Sequence, residues 1–308
     1  MKHIALIFFA LLVHIPVLAK PLVYIARYQP LPAFNQAMDA IATTLAPNYT
    51  VQVLDVHPNT IDAVAQTIKK NRPTFTVSIG SKATSLLQTA LPRSPIIFSM
   101  VFRPQRTKLV KTLDRPGRFA TGVALDIPLK LQFSTLRSIF PYTKRIGTLY
   151  TPYVDQDYID QATAVAKTFH FTLIAKPVYA KDQIQPQLEA LFKEQIQLFW
   201  STADQRIYSK TSLQYILLSL NRFKVPFMGL SKAYLALGAA VTLDPNPTHI
   251  GKKTASMLNR MVQERQHPMI TPVVFPDYVN YSINTSVMKQ FNFKLSQNIL
   301  DQAEVLYK

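Results

Sequence analysis

The stretch FTVSIGSKATSLLQTALPRSPIIFSMV, residues 75–101, contains one complete strand–helix–strand pattern. It starts with a β-branched run (75–80), continues with an amphipathic pattern of helix length (82–91) and ends in a second apolar run (95–101). Short apolar runs that alternate with helical patterns are typical of β-α-β units, in which parallel strands are covered by helices on both faces. The stretch therefore predicts a parallel sheet between two helical layers.

The same alternation extends in both directions along the chain. Predicted strands are 22–28, 50–56, 75–80, 95–101, 145–151, 171–178, 198–202 and 226–230, and predicted helices are 33–46, 59–70, 82–91, 129–140, 157–169, 183–194 and 210–223. A stretch without this repeat, FATGVALDIP (119–128), separates the fourth strand from the fifth. Two similar α/β lobes joined by extended crossings are therefore expected.

The C-terminal part of the chain does not extend either repeat. AAVTLDP (239–245) precedes a long helical pattern (247–264), for which Asn246 is a suitable N-cap and Pro247 a suitable first residue. PVVFPDYVNYSIN (272–284) and two short helices follow. These late segments are expected to return across the hinge between the lobes.

The N-terminus has the pattern of a secretory signal. A basic start at Lys2 precedes an apolar run from Ile4 to Val13, and the small residue Ala19 stands before Lys20. This pattern predicts a signal peptide (1–19) cleaved after Ala19, because the apolar run is too short to span a bilayer. The chain has no cysteine for a disulfide or a lipid anchor. We expect a periplasmic protein.

The composition is strongly basic. The 308 residues include 34 Lys and Arg against 17 Asp and Glu, a formal net charge of +17. Such a balance favours nucleic acid or an anionic surface as a partner, but export argues against nucleic acid. The densest basic stretch (103–118) contains one acid, Asp114, and no interleaved aromatic residues for base stacking. A solvated loop is the favoured interpretation, and anionic lipid headgroups or an acidic partner are the alternative.

Local signatures of catalysis are absent from the sequence. With seven glycines the chain has no phosphate-binding glycine motif and no nucleophile elbow. His57, His170, His249 and His267 are not spaced as metal ligands. A Ser/His/Asp triad assembled from distant residues stays open. We predict no catalytic residue, no metal and no cofactor.

Polar residues follow several predicted strands at their carboxyl ends, where open parallel sheets bind ligands. They are Arg27 and Tyr28, Ser81 and Lys82, Phe102 and Arg103, and Asp204. Each has an alternative: Ser81 is favoured as a helix cap and Tyr28 and Phe102 are favoured as core residues, while for Arg27 and Arg103 a surface position and a ligand contact are equally open. Asp204 could cap a helix or pair with Arg206, but a carboxylate after a buried strand also suits an amine.

Three blocks carry a family resemblance. They are TGVALDIPLKLQFSTLRSIFPYTKRIGTLYTP (121–152), STADQRIYSKTSLQYILLSLNRFKVPFMGLSKAYLALGAAVTLDPNPTHIGKKTASML (201–258) and YSINTSVMKQFNFKLSQNILDQAEVLY (281–307). They resemble the ABC-transporter substrate-binding proteins of periplasmic binding protein type I architecture that include tryptophan and other amino-acid binders. The resemblance implies two Rossmann-like lobes with parallel sheets, three hinge crossings and a ligand trapped by hinge closure. The expected lobes are 20–122 plus about 246–275, and 123–245 plus about 276–308.

The resemblance also implies site residues. Asp204 matches the acid of the family's "TDN", with Gln205 in place of its Asn, and Ser81 stands where the family has "T-P-A-A". Where the family often has Asp-Pro, this chain has Arg103-Pro104, which favours a more anionic or differently shaped ligand. The full set of predicted ligand-binding residues is Arg27, Tyr28, Ser81, Lys82, Phe102, Arg103, Tyr153, Asp204, Gln205 and Ser231.

The favoured function is that of an exported solute-binding protein, not an enzyme. It would capture an amino acid or a related, more anionic metabolite for the membrane permease of an ABC importer, and act as a monomer without nucleic acid. The alternative is a periplasmic sensor that feeds a membrane signalling protein. An enzyme with a cleft between two lobes comes third, and an envelope-binding role would explain the basic surface.

Overall fold

A computed structural model describes residues 20–308. The predicted signal peptide (1–19) lies outside the described residues. The described chain forms two sheets, one of five strands and one of seven, each covered by helices. Among these residues, no helix is long and apolar enough to cross a membrane.

The first sheet has the order β2-β1-β3-β4-β5, and all its pairs are parallel. Its strands are β1 (Leu22–Arg27), β2 (Thr50–Asp55), β3 (Phe75–Ile79), β4 (Ile96–Val101) and β5 (Ala120–Ala124). The helices that alternate with them are α1 (Pro32–Leu45), α2 (Ile61–Asn71) and α3 (Gly80–Ala90). β3 and β4 are buried along their whole length, and most of their residues are apolar. The buried hydroxyl of Ser78 in β3 is hydrogen-bonded to the Thr84 hydroxyl of α3 at 2.8 Å.

The second sheet has the order β12-β11-β10-β9-β8-β6-β7. Its strands are β6 (Arg145–Tyr150), β7 (Thr172–Pro177), β8 (Leu198–Trp200), β9 (Phe227–Gly229), β10 (Val241–Pro245), β11 (Val279–Asn284) and β12 (Val305–Tyr307). The remaining helices are α4 (Leu129–Ile139), α5 (Pro152–Thr168), α6 (Ile184–Lys193), α7 (Lys210–Arg222), α8 (Pro247–Gln263), α9 (Thr285–Gln290) and α10 (Gln297–Asp301). Only β10 and β11 pair antiparallel among these strands.

The structure confirms the predicted alternation of strands and helices, and it adds four strands, β5, β10, β11 and β12. The antiparallel pair has a simple cause. The chain leaves β10 at Pro245 and re-enters the second sheet at Val279, which lies opposite Pro245. A strand that starts beside the end of its neighbour must run in the opposite direction. Helix α5 begins at Pro152 instead of residue 157, since proline suits the first turn of a helix.

Helix α8 packs against α1, β4 and β5 of the first sheet, although it follows a strand of the second. Its first turn is capped by Asn246, whose side chain accepts the N–H of His249 at 2.8 Å. Gly251 allows the close approach of α8 to α1, because a Cβ there would lie 2.3 Å from the carbonyl oxygen of Ala37. The Thr254 hydroxyl donates to Ser99 in β4 at 2.9 Å.

The two lobes are named here by their sheets, the first lobe around β1–β5 and the second around β6–β12. After α8 the chain touches the edge of the first sheet, where Val274 bridges Val123, and then enters β11. The expected lobe limits and the three hinge crossings stay a proposal.

Candidate functional site

A cavity of about 470 Å³ lies between the carboxyl ends of the two sheets. Its lining comes from α1, the end of β4, the connection after β5, helices α4 and α5, and the loops after β8, β9 and β10. The lining residues are Ala33, Phe34, Met100, Phe102, Arg103, Leu125, Asp126, Ile127, Gln132, Tyr158, Ala203, Gln205, Leu230, Asp244, Pro245 and Pro247. Carboxyl ends of parallel strands are where such folds bind small molecules. We call this cavity the cleft.

The first-lobe wall of the cleft is formed by a strained turn at the end of β4. Met100 and Arg103 both have positive φ values, 59° and 47°, which residues other than glycine rarely adopt. The backbone N–H of Arg103 donates to the carboxylate of Asp126 at 2.8 Å. This turn places Phe102 and Arg103 in the cleft, opposite the first turn of α1 with Phe34.

The second-lobe wall is an aromatic stack that hydrogen bonds hold in place. Tyr158 of α5 stacks on the buried Trp200, with ring centroids 5.9 Å apart and an interplanar angle of 24°. Gln132 accepts the indole N–H of Trp200 at 2.9 Å and donates to the Tyr158 hydroxyl at 3.2 Å. The guanidinium of Arg103 lies 5.2 Å from the centroid of the Tyr158 ring, a cation–π distance.

Burial raises the pKa of Tyr158 to about 12. The tyrosine therefore keeps its proton at physiological pH and presents a neutral ring to the cleft. The ring, unlike a phenolate, adds no charge beside Arg103.

Two carboxylates complete the cleft. Burial raises the pKa of Asp126, and the Arg103 N–H and the Arg103 charge partly offset the effect. Burial also raises the pKa of Asp244, which accepts the Lys232 N–H and the Thr242 hydroxyl, both at 3.0 Å. The cleft thus combines a cation, two carboxylates and several apolar or aromatic faces.

A charge cluster joins the two lobes beside the cleft. Arg103 and Arg106, from the loop after β4, both donate to one oxygen of Asp155 on α5. Asp155 has a fully buried side chain, and Arg106 also donates to the carbonyl of Val154 at 2.6 Å. The other Asp155 oxygen has no hydrogen-bond partner in the described part of the protein. The first turn of a helix favours a negative charge, so the position suits Asp155.

A second cavity, of about 720 Å³, adjoins the cleft. It shares Arg103, Asp126, Ile127 and Tyr158 with the cleft and is further lined by Arg106 and Tyr153. Arg103 therefore lines both cavities and pairs with the opposite lobe.

Three predicted site residues line the cleft: Phe102, Arg103 and Gln205. Tyr153 lines the second cavity instead, and the guanidinium of Arg206 lies 5.0 Å from its ring centroid. Ser231 lies after β9, where its side chain accepts the N–H of Ala233 at 3.4 Å. Residue 231 thus caps a short 3-10 helix.

Four other predicted residues lie in the first lobe and line neither cavity described above. Arg27 pairs with Asp55 at 2.7 Å, while the Lys82 ammonium lies 4.9 Å from the centroid of the Tyr28 ring. Ser81 does not cap α3, because the helix begins at Gly80 and no side chain bonds its N-cap position. The favoured alternative for Ser81, a helix cap, is therefore wrong.

Asp204 is buried and turned into its own loop. One carboxylate oxygen accepts the N–H of Arg206 at 3.0 Å, and the Asp204 carbonyl accepts the N–H of Tyr208 at 2.9 Å. The second carboxylate oxygen has no hydrogen-bond partner among residues 20–308. Only the neighbours Ala203 and Gln205 line the cleft. Direct contact between Asp204 and a ligand stays a prediction.

Several residues of the site were not predicted from the sequence. They are Phe34, Arg106, Asp126, Gln132, Asp155, Tyr158 and Asp244. For two of them a pattern was available, since Asp126 in ALDIP and Asp244 in TLDP both follow apolar strands and precede a proline. Such an aspartate at the end of a strand, where the chain leaves the sheet, is placed at the ligand-binding edge. The pairing of Asp155 with two arginines 49 and 52 positions away had no local pattern.

Comparison with known families gives a match over most of the chain. The profile of the family described as ABC transporter substrate binding protein matches residues 45–306. A curated relative, the tyrosine-binding protein of Clostridioides difficile strain R20291, is 20% identical over 237 residues. The match covers 76% of this chain and 68% of the relative.

Solved structures show the same fold. The ligand-free, open structure of a substrate-binding protein with adhesive properties from Clostridium difficile has a TM-score of 0.75 at 17% identity, over 94% of this chain and 99% of that chain. The ABC domain in complex with L-Trp from Streptococcus pneumonia has a TM-score of 0.58 at 18% identity, over 94% of this chain and all of that chain. Both likenesses support the α/β fold with parallel sheets in two lobes.

Proposed function

Because the chain belongs to the ABC transporter substrate binding protein family, we propose that it captures a zwitterionic ligand of amino-acid type, with an aromatic or large apolar side chain, for an ABC permease. The observation that carries this proposal is the lining of the cleft. One guanidinium and two carboxylates face a cavity whose other walls are aromatic and aliphatic. A ligand with both charges and an apolar side chain satisfies all three kinds of surface.

The anionic end of the ligand is assigned to Arg103. A guanidinium binds a carboxylate with two parallel hydrogen bonds, and such charged bonds are among the strongest in proteins. The ion pair with Asp155 leaves Arg103 available to a ligand, because Asp155 is also paired with Arg106. When a ligand carboxylate takes Arg103, the buried Asp155 keeps one arginine.

The cationic end is assigned to Asp126 and Asp244. Both carboxylates have a pKa raised by burial, so an incoming ammonium stabilises their charged form. The ammonium would thereby relieve part of the cost of keeping these groups ionised inside the protein.

The apolar part of the ligand is assigned to Phe34, Phe102 and Tyr158. Aromatic rings contact one another in stacked or edge-to-face arrangements, which favours an aromatic side chain. A cavity of about 470 Å³ has a suitable size, because small-molecule sites are typically ~300–1,000 Å³. The names of the relatives agree, since one binds tyrosine and the other was crystallised with L-Trp.

Residues at the rim complete the site when the lobes close. On this proposal Tyr28, Ser81 and Lys82 approach the ligand from the first lobe, and Ser231 approaches it from the second. Arg27 and Tyr153 orient neighbours at the rim. Asp204 shapes the turn that presents Gln205 to the cleft.

The protein is proposed to act outside the cytoplasm as a monomer, after cleavage of the signal peptide at Ala19. It is further proposed to release its ligand unchanged. Recovery of an isotope-labelled ligand as a different compound would contradict a pure binding role and favour an enzyme.

A calorimetric panel tests the proposal after a denature-and-refold step that strips carried-over ligand. We expect tyrosine, tryptophan or phenylalanine to bind, while the matching amide, which lacks the carboxylate, and the deaminated acid, which lacks the ammonium, bind much more weakly. At 100 times its dissociation constant a ligand adds about 2.7 kcal/mol of stability, so thermal shift gives an independent readout. Binding of a neutral sugar, with no response to any amino acid, would contradict the proposal.

A further inference from the structure

The positive charge of the protein is concentrated in the first lobe. Within the expected limits, residues 20–122 and 246–275 contain 17 Lys and Arg against 5 Asp and Glu, a net charge of +12. Residues 123–245 and 276–308 contain 16 against 12, a net charge of +4. The lobes share one architecture, so the difference is not a requirement of the fold.

Much of this charge lies at the end of the first lobe that faces away from the cleft. Since the strands of the first sheet are parallel, their N-terminal ends meet at one end, together with the C-terminal ends of the helices. We call this region the far end. Its exposed basic residues are Lys20, Lys69, Lys70, Arg72, Arg93, Lys111, Arg115, Arg118 and Arg265. None of these nine forms a salt bridge within residues 20–308.

A small cavity lies within the far end. It has a volume of about 290 Å³ and is lined by Lys111 and Arg118 together with Gln88, Ser94 and the apolar Phe119 and Met269. Two cations beside an apolar floor suit a phosphate group that carries a hydrocarbon. A phospholipid headgroup combines both features.

Stabilisation of helix ends explains only some of the basic residues at the far end. Lys69 and Lys70 lie in the last turn of α2, where a positive charge interacts favourably with the helix dipole. Lys111, Arg115 and Arg118 lie between β4 and β5, outside any helix. These three residues therefore need another explanation.

We propose that the far end of the first lobe docks on an anionic phospholipid surface. The ammonium of Lys20 donates to the carbonyl of Ala46 at the C-terminal end of α1. Lys20, the first residue after the proposed cleavage site, is therefore held at the far end and adds to its positive charge. Docking in this orientation keeps the protein at the membrane while the cleft stays open to solvent. It is independent of the identity of the ligand.

Vesicle binding tests the proposal with the mature protein, which begins at Lys20. We expect cosedimentation with vesicles of phosphatidylcholine mixed with phosphatidylglycerol, no cosedimentation with phosphatidylcholine alone, and release as salt screens the charges. The variant pair Lys111→Gln with Arg118→Gln should weaken binding about thirtyfold, since each basic residue near an anionic membrane contributes about a fivefold gain in affinity.

The matched control is the pair Lys193→Gln with Lys224→Gln, two exposed lysines of the second lobe. This control removes the same charge and should bind vesicles as the unmodified protein does. An equal loss in both pairs would overturn the proposal, because it would show attraction by net charge alone. Equal binding to neutral vesicles, or no binding to anionic ones, would also overturn it. Ligand affinity measured on both pairs should be unchanged, so failure of this proposal and failure of the proposed ligand site are distinguishable.

Discussion

The loops after β4 and β8 face each other from different lobes across the cleft, but their charged residues behave differently. Each loop follows a buried strand at its carboxyl end and carries a charged residue soon afterwards, Arg103 in one and Asp204 in the other. Arg103 leaves its strand through a left-handed turn, lines the cleft and reaches Asp155 in the opposite lobe. Asp204 turns inward and accepts a backbone N–H two residues ahead.

A position at a strand end therefore does not by itself determine the role of a charged side chain. Arginine is long enough to cross between lobes, and it cannot accept the N–H groups of its own turn. Aspartate is short and is a good acceptor for such N–H groups, so it closes the loop in which it stands. The predictions below test whether this division between a ligand contact and a turn former holds.

The largest effect is expected from Arg103→Gln. Removing a charged hydrogen-bond partner costs about 1.5–3 kcal/mol, so affinity for the amino-acid ligand should fall roughly ten- to hundredfold. Lys108→Gln is the control, because Lys108 lies in the same loop, is exposed and also has a positive φ. Calorimetry should show the loss of affinity for Arg103→Gln and not for Lys108→Gln. An unchanged affinity of Arg103→Gln would show that Arg103 does not bind the ligand.

The next effect is expected from Asp155→Asn. Arg103 and Arg106 both lose their carboxylate partner. Because Arg106 is 44% exposed, the loss is smaller than for a fully buried pair, and we expect the free energy of unfolding to fall by about 1–2 kcal/mol. Asp157→Asn changes an exposed neighbour on the same helix and should cost almost nothing. Chemical denaturation measures both, and equal stabilities of the two variants would mean that the cross-lobe cluster contributes little.

A smaller effect is expected from Asp204→Ala. The turn loses the acceptor of the Arg206 N–H, which should lower stability by about 1 kcal/mol, as the loss of a cap does. Ligand affinity should change less than for Arg103→Gln. If affinity instead disappears while the melting temperature stays, Asp204 contacts the ligand and the contrast between the two loops is broken.

The smallest effect concerns pH. Burial raises the pKa of Asp126, so on acidification this group takes up a proton at a higher pH than an ordinary aspartate. The protonated form no longer attracts an ammonium, and affinity should therefore decline as pH falls and recover as it rises. Asp126→Asn should flatten this dependence, measured by titration across the acidic range. A profile unaltered by the variant would assign the pH dependence to another group.

The sequence predicted the architecture better than the site. Alternating apolar runs and helical patterns are local, so β1 to β4 and β6 to β9 could be found from the sequence. The direction of β11 could not be predicted from the sequence, because it depends on where the chain returns to the sheet, opposite Pro245.

For the site, Phe102 and Arg103 were predicted from their position after a strand, and Gln205 was predicted from the family resemblance. Tyr158 was missed because it lies inside a helical pattern, away from any predicted strand end. Asp155 was missed because the predicted helix began only at residue 157, whereas α5 begins at Pro152. Their role arises only when the two lobes come together around Arg103.

The most direct test of the central claim is a double-mutant cycle between Arg103 and the ligand carboxylate. Calorimetric affinities are measured for the aromatic amino acid and its amide, each against the unmodified protein and against Arg103→Gln. We expect the unmodified protein to prefer the acid over the amide roughly tenfold or more, as a charged hydrogen bond requires, and the variant to lose this preference. A variant that still prefers the acid by the same factor would show that a group other than Arg103 binds the carboxylate.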